Sequence, residues 1–156
     1  MADTKSMTRI LAGWKREGLK VLVITSCSSL KSGESDVPAR RLYQGQLFKA
    51  VADFATLNGF DLAILSSKYG LIPGNEIISC YDKHIKERAK DEHFKELVSR
   101  QFARISKDYG KFVVVMGETY RKFLKKHFDG RFLVISDDRG IGGYKQTMKQ
   151  LADESR

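Results

Sequence analysis

The chain has 156 residues, of which 42% are hydrophobic and 30% charged, and its formal net charge at pH 7 is +9. This length supports one hydrophobic core and is short for two domains, and the composition is that of a folded, soluble protein. No apolar run approaches the roughly 20 residues of a membrane-spanning helix, and the first residues lack the apolar core of a signal peptide. We therefore expect a cytoplasmic protein with no membrane partner.

The positive charge is concentrated in the second half of the chain. Residues 1–82 contain 10 Lys and Arg against 8 Asp and Glu, whereas residues 83–156 contain 18 against 11. An excess of cations favours a polyanionic partner such as nucleic acid, because Lys and Arg neutralise phosphates and release counterions. A basic surface that only keeps the protein soluble is the alternative.

Strand-like and helix-like patterns alternate along the chain. Apolar residues at helical spacing, such as Leu11 and Trp14, predict an N-terminal helix within residues 1–19 that packs on the remaining domain, residues 20–156. Continuous apolar runs predict buried strands at residues 21–25, 62–65, 112–116 and 132–135. Helices are predicted at residues 41–57, 84–108, 118–127 and 143–152. The alternation predicts an α/β fold, a three-layer sandwich with a short, mainly parallel four-stranded sheet.

Hydroxyl, thiol and ammonium groups follow the first predicted strand. Ligands of open α/β sheets bind beyond the carboxyl ends of the strands, so Ser28 and Lys31 are candidate phosphate ligands. Arg40 and Arg41 are expected nearby. Cys27 is a candidate nucleophile if cations surround it, or a small buried filler if they do not. A polar surface turn is the alternative for the whole loop, since the spacing of a P-loop is absent.

A second group of polar side chains follows the second predicted strand. Lys68 is a candidate phosphate ligand, and Ser67 precedes it. Tyr69 and Tyr81 are candidates for stacking on a base, and Asp82 for accepting a hydrogen bond from a base or a ribose. As an alternative, both tyrosines are structural residues that form hydrogen bonds beneath the loop.

The third predicted strand is followed by a glycine and a basic helix. Gly117 permits close approach of the backbone to a ligand. Lys122, Lys125 and Lys126 are expected on the outer face of the helix, where they are candidates for contact with a phosphate backbone. A solvated helix face is the alternative.

The fourth predicted strand leads into a glycine-rich turn. Such a turn at the start of a helix can bind an anion, although only part of the dinucleotide-binding motif is present. Asp137 and Asp138 are possible acid–base or ribose-binding groups, but adjacent aspartates are common in turns.

The cysteines and histidines predict neither a metal site nor a cofactor. Cys27 and Cys80 are too few for a disulfide framework, although a single bridge between them stays open, and a reducing compartment is the simpler expectation. His84, His93 and His127 lack the spacing of metal ligands. A serine hydrolase is not expected, because the G-x-S-x-G motif is absent.

The strand-end motifs resemble those of known families. The pattern consists of Cys27-Ser28-x-x-Lys31, Leu42-Tyr43, Leu65-Ser66-x-Lys68-Tyr69-Gly70-Leu71 and Tyr81-Asp82. It resembles small proteins related to the YaaA peroxide-stress family, and its first part is similar to the start of one domain of archaeosine synthase, which acts on a modified base in transfer RNA. Over residues 20–145 the resemblance implies an α/β fold akin to uracil-DNA glycosylases and the handling of nucleic acid or nucleobases.

The sequence also departs from these families. YaaA proteins are longer and contain a helix–hairpin–helix element tied to DNA binding, for which this chain has little room. Uracil glycosylases have an aspartate and a histidine in the first strand-end loop and a histidine in the last. The corresponding segments here, residues 25–28 and 136–139, contain no histidine, so hydrolytic excision of uracil is not expected.

Three functions follow from these patterns. The first is a domain that binds nucleic acid (DNA or RNA) or a nucleotide, with a nucleobase and phosphate site at the carboxyl ends of the strands. The second is an enzyme of nucleobase modification or N-glycosidic chemistry in which Lys31 or Lys68 activates Cys27 as the nucleophile. The third is an interaction subunit without catalytic activity. The sequence leaves open which applies, and also the oligomeric state.

Overall fold

A computed structural model of the chain describes residues 3–28, 31–137 and 139–155. In chain order its elements are α1 (Thr4–Arg16), β1 (Val21–Ser26), β2 (Val37–Pro38), α2 (Ala39–Leu42), α3 (Gln46–Asn58), β3 (Asp61–Ser66), β4 (Gly70–Pro73), β5 (Ile77–Ile78), α4 (Glu92–Ile105), β6 (Lys111–Val115), α5 (Glu118–Arg121), β7 (Phe132–Ile135) and α6 (Ile141–Glu154). Short 3₁₀ helices lie at Ile85–Arg88, Ser106–Asp108 and Lys125–His127.

The main sheet is five-stranded, in the order β4-β3-β1-β6-β7. The strands β3, β1, β6 and β7 are parallel, and β4 runs antiparallel to β3 at the edge. The register places Val23 of β1 between Leu62 of β3 and Val113 of β6. The carboxyl ends of the parallel strands therefore lie along one edge of the sheet. The strands β2 and β5 form a separate antiparallel pair.

Helices cover both faces of the sheet, so the fold has three layers. Alternate residues of β1 contribute to two apolar clusters, Val21 and Val23 to one and Leu22 and Ile24 to the other. The first cluster also contains buried side chains of α1, α3 and α6, and the second those of α4. Continuous apolar runs are typical of strands buried on both faces, and the predicted α/β class with a mainly parallel sheet is confirmed.

The predicted count of four strands is wrong. The fifth strand, β4, comes from a segment that we expected to be a loop, because its four residues include Gly70 and Pro73. Gly70 has φ +79°, a left-handed conformation that lets the chain turn back along β3. Proline is tolerated at this position because β4 is an edge strand.

Three predicted helices are shorter or interrupted. The segment 41–57 is interrupted between α2 and α3. Within the segment 118–127, only α5 and the 3₁₀ helix Lys125–His127 are helical. The segment 84–108 divides at Asp91, whose carboxylate accepts a hydrogen bond from the N–H of Phe94 (3.0 Å) and caps α4. Such a cap starts a new helix, since it binds a backbone donor that has no partner within the helix. In the described part of the chain, no helix has both the length and the apolar character needed to cross a membrane.

Candidate functional site

A cavity of about 480 Å³ lies at the carboxyl ends of β1 and β6. The chain passes from β1 to β3 on one side and returns to β6 on the other, so the connections change direction between these two strands. Ligands of open α/β sheets bind at such a point, because the loops after the two strands diverge and leave a crevice. The cavity walls include Cys27, Ser28, Phe48, Lys86, Thr119 and Tyr120.

Cys27 lies in the wall of this cavity and is held in place from three sides. Its backbone N–H donates to the carbonyl oxygen of Leu65 (3.0 Å), which fixes the residue beside the end of β3. Its Sγ lies 3.7 Å from Oγ of Ser67 and 3.5 Å from the hydroxyl of Tyr120. Cys27 is buried, Cys80 is exposed, and both thiols are free, so the possible disulfide between them is absent.

Ser28 connects the first strand end to the start of α3. Its hydroxyl accepts a hydrogen bond from the N–H of Gly45 (3.2 Å), the residue that precedes α3. A Cβ at Gly45 would come within 2.8 Å of the Cβ of Ser28, so the approach of the two segments requires glycine. This contact brings the first turn of α3 to the cavity wall, where Phe48 contributes apolar surface.

The opposite wall follows β6. The hydroxyl of Thr25 donates to the carbonyl oxygen of Val115 (2.8 Å) and ties the ends of β1 and β6 together beneath the cavity. Gly117, Thr119 and Tyr120 follow, and the first two are exposed. Burial and the neighbouring Cys27 thiol raise the pKa of the Tyr120 hydroxyl above its usual value of 10.0, so this hydroxyl is neutral at physiological pH.

The carboxyl end of β3 is filled by hydroxyl groups rather than hollow. The hydroxyl of Tyr81 lies 2.8 Å from Oγ of Ser66 and 2.7 Å from the hydroxyl of Tyr43. Ser66 also accepts hydrogen bonds from the N–H groups of Lys68 (3.2 Å) and Tyr69 (3.1 Å). Burial, with the Cys27 thiol nearby, raises the pKa of Tyr81 to about 12. Tyr81 therefore serves here as a neutral link between buried hydroxyls, as the structural alternative predicted.

Two lysines predicted to bind phosphate lie over the rings of this network. The ammonium of Lys31 lies 4.6 Å from the centre of the Tyr81 ring. The ammonium of Lys68 lies 5.2 Å from the centre of the Tyr69 ring and 6.0 Å from that of Tyr81. Both lysines thus adjoin the tyrosine cluster instead of the cavity wall. The structure therefore brings together Lys31, Lys68, Tyr69 and Tyr81. This was expected, because the loops after the first and second predicted strands lie at the same edge of the sheet.

Side chains from beyond the sheet hold the turn after β3 rigidly. The carboxamide of Gln101 on α4 accepts from the N–H of Leu71 (2.7 Å) and donates to the carbonyl oxygen of Tyr69 (3.0 Å). Arg88 donates to the carbonyl oxygen of Ser67 (2.9 Å) and forms an ion pair with Asp91 (2.8 Å). This turn is therefore fixed by internal partners.

The end of β7 is also closed by internal contacts. The carboxylate of Asp137 is buried and accepts from the guanidinium of Arg139 (2.7 and 2.9 Å) and the hydroxyl of Thr147 (3.3 Å). Hydrogen bonds from Arg139 lower the pKa of Asp137 to about 2. These contacts give Asp137 a structural role in joining β7 to α6. Asp138, its neighbour in the predicted acidic pair, lies outside the described residues.

The remaining predicted residues are on the surface. Arg41 pairs with Glu34 (3.1 Å), and Arg40 borders a separate, smaller depression near Asp61. Asp82 is almost fully exposed and lies 3.8 Å from the imidazole of His84. Lys122, Lys125 and Lys126 are exposed, with Lys125 and Lys126 on the 3₁₀ helix that follows α5. Arg40, Arg41 and Asp82 do not line the cavity.

Several cavity residues were not among the candidates. Tyr120 and Thr119 directly follow β6, so their position after a strand was a usable signal. Lys86 and Ile85 come from a 3₁₀ helix within a segment predicted to be a regular helix, and no sequence pattern brings them to the cavity. Among residues 3–28, 31–137 and 139–155 there is no group of three side chains suited to hold a metal ion.

The comparisons with known proteins identify a family but no activity. No curated protein matches the chain, and no solved structure does. The model of a family of unknown function, DUF6884, matches residues 21–152, which span the sheet from β1 and extend into α6. The chain therefore belongs to the DUF6884 family.

Proposed function

We propose that the protein binds a nucleotide unit, either free or within a nucleic acid, with its base in the cavity between β1 and β6. The observation that carries this proposal is the position of the cavity at the reversal of the strand connections. A volume of about 480 Å³ lies within the roughly 300–1,000 Å³ usual for small-molecule sites. The family resemblance of the strand-end motifs and the fold akin to uracil-DNA glycosylases form part of the same proposal.

The cavity wall suits a flat, partly polar ligand. Phe48 and Tyr120 supply aromatic surface, and the Cys27 thiol and the Ser28 hydroxyl supply polar atoms beside it. Base-binding sites combine aromatic faces with a few groups that form hydrogen bonds to the edge of the base.

The rim of the cavity also favours an anionic group. Lys86 contributes a positive charge to the lining, and Glu118 contributes a negative charge. The first residues of α3 and α6, Gln46 and Ile141, face the cavity, and neither helix has a side-chain cap. Backbone N–H groups at the start of a helix attract phosphate, which supports a phosphorylated ligand over a free base.

A steric block tests this proposal. The variant Thr119→Phe places a large side chain at an exposed position of the cavity wall. The measurement is isothermal titration calorimetry with the common ribonucleoside and deoxyribonucleoside monophosphates. The unmodified protein is expected to bind, and the variant is expected to lose affinity at least about ten-fold.

The matched control is Thr56→Phe, the same change at an exposed position of α3 that does not line the cavity. This variant is expected to bind like the unmodified protein. Equal loss in both variants, or no binding of either nucleotides or single strands to the unmodified protein, would overturn the proposal and favour an interaction subunit.

A second candidate function is favoured by the position of one thiol. Cys27 presents its Sγ to the cavity within 3.5 Å of the Tyr120 hydroxyl, so a bound base would lie against a nucleophile. In such an enzyme of nucleobase modification, the thiol gives up its proton and Sγ forms a bond to an electrophilic ring carbon. The electron pair of the attacked double bond moves to a ring nitrogen or exocyclic oxygen, which takes up a proton.

Intact-protein and peptide mass spectrometry test this second candidate. Base analogues with an electrophilic ring carbon are expected to form an adduct on Cys27 that is lost in Cys27→Ser. Cys80 is exposed and serves as the internal control. Modification of Cys80 alone, or of both thiols to the same extent, would reject Cys27 as a nucleophile and leave the binding function intact.

A further inference from the structure

Two short segments account for most of the net positive charge of the protein. Residues 83–90 contain four Lys and Arg and one Glu, and residues 117–127 contain four Lys and Arg and one Glu. Their net charges of +3 each account for +6 of the total of +9. The imbalance between the two halves of the sequence is therefore concentrated in 19 residues.

The fold places part of each segment at the cavity. The first contains the 3₁₀ helix Ile85–Arg88, whose residues Ile85 and Lys86 line the cavity. The second starts with Gly117 and α5, which line the cavity on the same side as the end of β6. The 3₁₀ helix packs against α5, so the parts of the two segments that line the cavity are neighbours in space.

The lysines of the two segments differ in their partners from three arginines of the protein. Arg88, Arg131 and Arg139 each form an ion pair with an aspartate. No carboxylate of the described residues lies in ion-pair contact with the lysines of the two segments, which are Lys83, Lys86, Lys90, Lys122, Lys125 and Lys126. All but Lys83 are exposed.

We infer that the ligand of the cavity is one nucleotide of a polynucleotide strand, whose neighbouring phosphates lie along the lysines of residues 83–90 and 117–127. This inference rests on the proposed function. A single nucleotide needs few cations. Successive phosphates of a strand can instead use the six lysines of the two segments, of which Lys86 lines the cavity and the other five lie outside its wall. The cavity admits a base only outside a duplex, so the strand is single or its base is turned out.

Binding measurements with labelled strands of about 12 nucleotides test the inference, because single-strand sites commonly span 4–16 nucleotides. Fluorescence anisotropy is recorded with single-stranded RNA and DNA between about 50 and 200 mM salt, with nucleoside monophosphates as competitors. The test variant is Lys122→Ala/Lys125→Ala/Lys126→Ala. The control variant, Lys5→Ala/Lys49→Ala/Lys149→Ala, removes the same charge from exposed positions on α1, α3 and α6.

Strands are expected to bind more tightly than monophosphates, with an affinity that falls steeply with salt. Three lost phosphate contacts should reduce the slope of log affinity against log salt by about 2 in the test variant, and the control variant should keep the original slope. A preference between RNA and DNA identifies the strand without changing the inference.

Three results would overturn the inference. Equal affinity for monophosphates and strands, with no effect of the test variant, would leave a site for free nucleotides and preserve the proposed function. Equal slopes in the two triple variants would show that net charge alone is responsible. Displacement of the strand by polyglutamate as readily as by unlabelled strand would indicate an acidic protein as the partner.

Discussion

The strand ends of this protein differ in what lies between them. After β3, the hydroxyls of Ser66, Tyr81 and Tyr43 are joined to one another, and Gln101 holds the turn from the other face of the sheet. After β1 and β6, the hydroxyl of Thr25 donates to the carbonyl oxygen of Val115, and a cavity lies above this contact. Polar loops at the end of a sheet can therefore either fill their own space or enclose a ligand, and residue type alone does not distinguish the two.

The chemistry of the two regions differs accordingly. The filled region has neutral hydroxyls whose pKa values are raised by burial, as for Tyr81. The hollow region combines aromatic surface, a thiol and the cationic rim at Lys86. We expect substitutions in the filled region to alter stability, and substitutions in the hollow region to alter binding.

The largest effect on stability is expected from Gly70→Ala. Gly70 has φ +79°, and a Cβ there would overlap the carboxamide of Gln101 that holds the turn. The left-handed conformation and the displaced hydrogen bonds together predict a loss of about 3 kcal/mol in the free energy of unfolding, measured by urea denaturation. In Gly33→Ala the φ is +78° but no atom lies near, so about 1 kcal/mol is expected. Equal losses in the two variants would show that Gln101 does not restrict the turn.

A pH-dependent loss of stability is expected from Asp137→Asn, at the end of β7. Arg139 lowers the pKa of Asp137 from 3.8 to about 2, so the ionised carboxylate stabilises the folded state at pH values above about 4. This contribution is lost as the pH falls through about 2, when the carboxyl is protonated in both states. Thermal unfolding should therefore show the variant less stable than the unmodified protein at pH 7, with the difference closing toward pH 2.

Asp129→Asn is the control for Asp137→Asn, because Asp129 forms the same type of pair with Arg131 but at half-exposed positions. Exposed pairs contribute little, so a smaller change in melting temperature is expected at pH 7. A constant difference between the Asp137 variant and the unmodified protein from pH 7 to pH 2 would contradict the role of the ionised carboxylate.

A smaller loss of stability than in Gly70→Ala is expected from Tyr81→Phe. The change removes the hydroxyl that links Ser66 to Tyr43 and should lower the free energy of unfolding by about 1–2 kcal/mol. Tyr69→Phe removes only a longer hydrogen bond (3.3 Å) to the carbonyl oxygen of Ser79, so a loss below about 1 kcal/mol is expected. Nucleotide affinity should be unchanged in both variants. A stable Tyr81→Phe protein that no longer binds nucleotides would mean that the filled region is itself the binding site.

Much of the sheet was predictable because its strands are buried on both faces. The run predicted as a strand at residues 21–25 is β1 without its last residue, and that at residues 112–116 is β6 shifted by one residue. The edge strand β4 was not predictable from its pattern, because Gly70 and Pro73 are typical of turns and the strand is held by tertiary contacts.

The candidate site was predictable only in part. The position of Cys27 and Ser28 after a buried strand indicated their place in the cavity wall. The sequence did not indicate that Tyr81 turns its hydroxyl toward Ser66, or that a 3₁₀ helix carries Lys86 to the rim. These features depend on how distant segments pack, which the spacing of residues along the chain does not encode.

The most direct test of the account is a titration of ¹⁵N-labelled protein with nucleoside monophosphates, followed through the backbone amide shifts. We expect the largest shifts around the hollow strand ends, at Cys27, Gly45, Gly117 and Tyr120, with the amide of Leu71 in the filled region unchanged. Shifts confined to residues 66–71, or no shifts at nucleotide concentrations that saturate other nucleotide-binding proteins, would contradict the assignment of the cavity as the binding site.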